Sequence, residues 1–368
     1  MIPTYIKKNI LLLTLLCAAT VSNAQSTLNM EWWNGLDKYW KGIFTSQIMW
    51  DQDDMTDEGL QKIEALTAIN ASGYDDFGDE RIVTSLEPIA LLTALEDVDI
   101  SYTRVKDLSP LKNMHHLKRL NLAFTRVNDL TALDHSMTIH ELFLSGTRVK
   151  TLAPIANIPL ESLDLFQNKS FEDWASISAF RKTLKMLALD ETKVEDLSFL
   201  KKMKKLEELK LSYTNVSDIS SLKKLKSLTY LQLQKTKVTD LSSLNKLKNI
   251  EHLNISNTEI IDIASVGALK NLHTFYFSDS KVKDITPLAQ TLSMNELTFS
   301  NTPVSDLTPL SDLQKLSILI ITGSQVSNLA PLDGVTSLSI IYFRDAQVSP
   351  DDVNKFKEKH PNIETDYF

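Results

Sequence analysis

A single period governs this chain. Thr103, Thr125 and Thr147 are spaced by 22 residues, and so, after a shift of one residue, are Thr192, Thr214, Thr236, Thr258 and Thr302, with Ser280 and Ser324 filling two further nodes. An L-x-x-L-x-L run precedes the node, as in Leu117, Leu120 and Leu122 or Leu228, Leu231 and Leu233. V-x-D-L or V-x-D-I follows it, as in Val105-Lys106-Asp107-Leu108. A unit this short cannot enclose a core alone, so the units must stack and bury their apolar faces against one another. In L-x-L the two leucines share one face of a strand, which predicts one short parallel strand per unit with apolar side chains inward. The threonine hydroxyl can serve backbone groups freed where the chain turns out of the strand. The Asp at 107, 129, 196, 218, 240, 262, 284 and 306 can accept amide hydrogen bonds at the start of a short helical turn, in which Pro110, Pro287, Pro309 and Pro331 sit early. The unit leaves no room for a long helix, so single 3₁₀ turns are expected on the outer side.

The pattern L-x-x-L-x-L-x-x-T-x-V-x-D-L-x-P-L over about residues 83–348 resembles the leucine-rich repeat family, in the 22-residue class of bacterial internalins and SDS22-like phosphatase regulators. The resemblance implies an α/β solenoid: a right-handed arc with a parallel concave β-sheet, short 3₁₀ turns on the convex side and helical caps at both ends. Many relatives carry Asn at the node, and here only Asn168 keeps that amide. The resemblance also implies a binding protein, in host or cell-surface contact if internalin-like, or a structural and regulatory interaction protein if SDS22-like.

Twelve regular units run from Leu95 to Phe343, and a thirteenth strand is expected at Leu66 to Ala71, separated by a seven-residue insertion around Tyr74 to Glu80. The rhythm breaks between Thr147, Asn168 and Thr192, where Phe171, Trp174 and Phe180 predict a convex bulge. Open solenoid ends need covers. Trp33, Leu36, Trp40, Ile43 and Phe44 have the spacing of an apolar helix face, which gives a helical cap over residues 25–65. Leucine-rich repeats then occupy 66–348. In the segment 349–368, Ser349-Pro350-Asp351-Asp352 opens a short closing helix.

Residues 1–24 read as a secretory signal: Lys7 and Lys8, an apolar run from Ile10 to Val21, then Ser22-Asn23-Ala24 as the cleavage site. A secreted or periplasmic location follows, with no membrane insertion. Cys17, the only cysteine, falls inside this signal, so disulfides and thiolate chemistry are excluded from the rest. The formal charge of −8 has the wrong sign for a nucleic-acid binder, and a monomer is expected.

No catalytic arrangement emerges. The seven histidines show neither H-x-x-x-H nor H-E-x-x-H spacing, and no phosphate-binding glycine loop or nucleophile elbow occurs. His252 and His273 are one repeat apart but out of register, which reads as a solvated pair and not a metal site. The acidic groups at Asp51 to Glu58 and Asp75 to Glu80 lack calcium-loop spacing. Asp164 with Asp190 could suggest glycoside hydrolysis, but without a cleft they read as surface acids. No metal and no cofactor are expected, and the protein reads as a non-enzyme.

The concave surface remains, and the period lets its columns be read. One column runs Asp97, Arg119, Glu141, Ser162, Met186, Glu208, Tyr230, His252, Thr274, Glu296, Ile318 and Ile340; the next, two residues on, ends in Tyr276, Thr298, Ile320 and Tyr342. Ile318, Ile320, Ile340 and Tyr342 form an apolar square with Tyr276 nearby, and Tyr102, Phe124, Phe143 and Phe166 form a diagonal aromatic group ringed by acids. Apolar residues where solubility asks for polar ones point to contact. The expected ligand is a protein or peptide on this surface, with a glycan as the alternative.

Overall fold

The structure, a computed structural model, describes residues 28–73 and 83–366. The signal expected over residues 1–24 and the insertion with Asp75, Asp76, Asp79 and Glu80 lie outside the described residues. Three-residue strands recur with the lattice and pair side by side in chain order, all parallel, in one 14-stranded sheet. They run from β1 (Ala68–Asn70) and β2 (Asp97–Asp99) to β13 (Ile340–Tyr342) and β14 (Glu364–Thr365). Pairing joins equivalent residues of successive units, such as His252 with Thr274 and Ile320 with Tyr342. The columns counted in the sequence are therefore physical rows across the sheet.

In the three-residue strands the central residue points inward and is buried, while its two neighbours, Ala188 excepted, keep at least partial exposure on the concave side. Leu209, Leu231 and Leu253 stack in this way, and Phe275, Phe277 and Phe299 thicken the same core, with the rings of Phe277 and Phe299 stacked at 5.1 Å. Opposite each strand, a 3₁₀ turn returns the chain; Ser220–Lys224 and Ser242–Lys246 are examples. Its leading aspartate accepts the amide two residues on: Asp240 Oδ1 takes Ser242 N–H at 2.7 Å and Asp306 takes Thr308 N–H at 2.8 Å. The irregular unit carries the longest turn, Trp174–Phe180, with Phe171 and Phe180 buried beneath it.

The lattice threonines are buried and donate to the carbonyl three residues back. Thr125 Oγ1 reaches Leu122 O at 2.7 Å, Thr236 reaches Leu233 O at 2.8 Å and Thr302 reaches Phe299 O at 2.8 Å. Asn168 instead reaches across to the previous unit, its Nδ2 donating to Thr147 Oγ1 at 3.0 Å. The residue before each node adopts left-handed φ, from Tyr102 (58°) through Tyr213 (59°) and Asn257 (57°) to Asp345 (59°). Its amide is thereby aimed at the next unit, as in Tyr213 N–H to Gln234 O at 2.8 Å.

Among the described residues three helices precede the sheet: α1 (Met30–Gly35), α2 (Lys38–Gln47) and α3 (Asp57–Glu64). Asn29, Asp37 and Thr56 cap them through side-chain oxygens. Trp40, Ile43, Phe44, Leu60 and Ile63 are buried, and Trp40 Nε1 donates to Ser85 O at 3.2 Å. At the far end α4 (Pro350–Lys359) buries Val353 and Phe356. The sequence reading stops at this helix; the structure adds β14 after it, a strand too short to carry a periodic signal.

Candidate binding face

Because every strand holds the same register, the concave face is a grid two side chains wide. At its C-terminal end Ile318 faces Ile340 and Ile320 faces Tyr342, as the column count requires. All four are half-exposed. The closing helix does not fold over them: its buried residues turn to the core, and β14 extends the sheet beside them instead, placing Glu364 next to Ile340. The Tyr342 hydroxyl donates to Glu364, which raises its pKa. Asp366 accepts the amides of Phe343 and Arg344 at 2.8 and 3.1 Å, sealing the sheet edge.

Tyr276 lies two strands from Ile320, with Thr298 between them. It belongs to a different group, one that sequence reasoning missed. Tyr230 stacks on His252 at 4.2 Å and 5°, and His252 meets the edge of Tyr276 at 5.3 Å and 84°. The Tyr276 hydroxyl donates to Glu296 at 2.7 Å; burial first and that hydrogen bond second push its pKa up. His252 Nε2 is buried with no hydrogen-bond partner, and burial lowers the ring's pKa against the pull of Glu296 and Glu208. The signal was available: His252 sits in the same column as Tyr230, one unit on, and one column from Tyr276.

The diagonal aromatic group separates into parts. Tyr102 and Phe124, both in the left-handed position, stack at 4.8 Å and 15°. Gly146 holds the next such position (φ 61°), and a Cβ there would come within 2.5 Å of the Phe124 ring, so the bare backbone makes room for it. Phe143 lies one column over, under the Arg119 guanidinium at 4.9 Å. Phe166 occupies a third column, two residues before Asn168, and half-exposed. The acids around this group are tied down: Asp97 pairs with Arg119 at 3.0 Å, Arg119 with Glu141 at 3.6 Å, and Asn121 donates to Asp99 at 2.8 Å.

Asp164 and Asp190 do not form a carboxylate pair. They stand in different columns, and each spends an oxygen on a backbone amide, Asp164 on Phe166 and Asp190 on Ser212, both at 2.7 Å. Burial raises the Asp190 pKa. Among the described residues no group of three or more His, Cys, Asp or Glu is placed to hold a metal ion. No helix among them is long and apolar enough to cross a membrane.

The family described as "Leucine Rich repeats (2 copies)" matches residues 204–246 and 226–265. The chain carries leucine-rich repeats and has their fold. An internalin from Listeria monocytogenes superposes with a TM-score of 0.78 at 23% identity, covering 90% of this chain and 95% of that one. A leucine-rich-repeat protein from Leptospira interrogans gives 0.56 at 15% identity, covering 86% and 93%. The leucine-rich-repeat ectodomain of a plant receptor kinase from Arabidopsis thaliana, solved in complex with Casparian strip integrity factor 2, gives 0.64 at 20% identity and covers 81% of this chain but 38% of that one. No curated protein matches the chain significantly.

Proposed function

We propose that this leucine-rich-repeat protein is a secreted, non-enzymatic binding protein that holds a protein or peptide on its concave sheet. The observation that carries the reading is the isoleucine square: four apolar side chains paired in register on adjacent strands, left half-exposed by the closing elements. Such a group loses water contact when a ligand side chain packs on it, which is how interface anchors gain affinity. Glu296 and Glu364 flank the square and favour a ligand with basic residues beside its apolar anchor. The likeness to a plant ectodomain described in complex with a factor supports the same use of the fold, and the likeness to an internalin fits host or cell-surface contact. A glycan on this face is less well supported, because the flat Tyr230 and His252 faces are spent on each other and the Tyr276 hydroxyl on Glu296.

Selection of a displayed peptide library on the immobilised protein tests the reading. Peptides enriched on the wild type should lose more than about 2 kcal/mol of affinity for an Ile318→Ser, Ile320→Ser variant, whose stability should fall by no more than about 1 kcal/mol for each half-exposed change. Tyr342 is left in place because its hydroxyl ties the last strand. Absence of enrichment, or equal affinity for the variant, removes the concave square from the function.

A further inference from the structure

Two residues before the first core residue of the unit, Leu or Ile, five successive units carry the same residue: Lys182, Lys204, Lys226, Lys248 and Lys270. All five are exposed, on the turn that leads from the convex side into the strand. The row has sharp ends, since the same place holds Ile158 in the unit before and Leu292 in the unit after. A second, shorter row runs beside it, Lys202, Lys224 and Lys246, at the ends of the 3₁₀ turns. Among the described residues, none of these eight lysines has a carboxylate within ion-pair distance, although the chain as a whole is acidic. The acids closest along the chain, Glu207 and Glu251, stand three positions further on, at the strand side of the turn. Lys270 Nζ donates to the neutral Gln290, at O (3.1 Å) and Oε1 (3.2 Å), and like charges without carboxylate partners along one edge repel one another and attract a linear polyanion.

The row opens at one end onto an aromatic surface. A convex hollow of about 510 Å³ is lined by Trp174 and Phe199 together with Arg181, Lys201, Lys202 and Asp196. It shares Arg181 and Lys202 with a second hollow, of about 730 Å³, whose other walls are Lys182, Lys204 and Lys205. The Asp196 carboxylate is taken up by Ser198, through its amide at 2.8 Å and its hydroxyl at 2.6 Å. The elongated turn of the irregular unit builds this end, because it leaves Trp174 half-exposed, packed edge-on against Phe171 at 5.0 Å, while Phe171 and Phe180 stay beneath.

We propose that this edge binds an extended acidic polysaccharide, its carboxylate or sulfate groups on the lysine row and a sugar ring on Trp174 and Phe199. Strands about 4.8 Å apart set one cation per unit, so the five lysines span roughly 20 Å in near-equal steps. That spacing suits a chain bearing charge at each sugar or each second sugar. A nucleic-acid duplex would bring its second strand against the acidic body, and a flat lipid surface would touch only part of a curved edge. This surface is separate from the concave square, so either can fail without the other.

Retention on immobilised heparin and on immobilised polygalacturonate, with dextran as the neutral control, provides the test. The wild type should be retained by one or both charged matrices, showing whether sulfate or carboxylate is preferred, and should elute with salt. The variant Lys182→Ser, Lys204→Ser, Lys226→Ser, Lys248→Ser should bind at least tenfold more weakly with an unchanged melting midpoint. The charge-matched variant Lys106→Ser, Lys112→Ser, Lys193→Ser, Lys237→Ser should stay within twofold of wild type, as should Ile318→Ser, Ile320→Ser. Equal losses in the two lysine variants would reduce the effect to total charge and overturn the proposal. So would full retention by the row variant, or tighter binding of duplex DNA or phosphatidylserine vesicles through the same lysines.

Discussion

At the residue scale, the node shows how one hydroxyl decides a position. Thr236 is buried, and its Oγ1 donates to Leu233 O inside the turn. Thr236→Val keeps the shape and removes the donor, leaving a buried carbonyl short of a partner at a cost of about 1–3 kcal/mol. Thr236→Ser keeps the donor and should cost less. Urea midpoints compare the two, and equal values would exclude the hydroxyl from the stability of the node. The threonine pattern was legible because a recurring residue at a fixed spacing needs no structure to be seen. The left-handed residue before it was not. That position is held by Tyr, Phe, Gln, Glu, Lys, Asn and Asp as well as by Gly146 and Gly323, so composition conceals a conformation imposed by the amide it must aim at the next unit. Each such non-glycine residue carries a local backbone cost, of order 1 kcal/mol, that the inter-unit bond and the stack must offset.

At the element scale, the 3₁₀ turns depend on their aspartates. The carboxyls of Asp107, Asp129, Asp196, Asp284 and Asp306 are held below the usual carboxylate range by the side-chain hydrogen bond of the residue two on and then by its amide; for Asp240 the amide comes first. A folded pKa below the unfolded one means stability that is fully present above the unfolded value and is lost as pH falls through the folded one. The protein should therefore hold its melting temperature down to about pH 4.5 and lose it progressively below about pH 4. An Asp→Asn variant at 107, 129, 240 and 306 should flatten that fall, and an unchanged acid limb would show that other carboxylates govern it. The concave site was legible in part. The rows followed from counting, since a fixed period fixes the register, and the isoleucine square came from that count. The Tyr230, His252 and Tyr276 group escaped because its members were weighed singly, and the two tyrosines and the histidine differ in chemistry while sharing one neighbourhood.

At the scale of the whole molecule, each unit touches mainly its neighbours, so the two ends are the exposed liabilities. The far end is closed by a two-residue strand and by Asp366, which occupies the amides of Phe343 and Arg344. Truncation after His360 should free those amides and the β13 edge, producing concentration-dependent self-association visible in sedimentation. A monomeric truncation would assign the closure to α4 alone. The single register across fourteen strands has a hereditary consequence as well. Duplication or loss of one 22-residue segment adds or removes a pair of side chains on the inner face, and a lysine on the edge when the segment is one of the five that carry it, while leaving the fold untouched. Lineages of such a chain can thus tune how long a ligand they grip by counting units, without inventing a new residue.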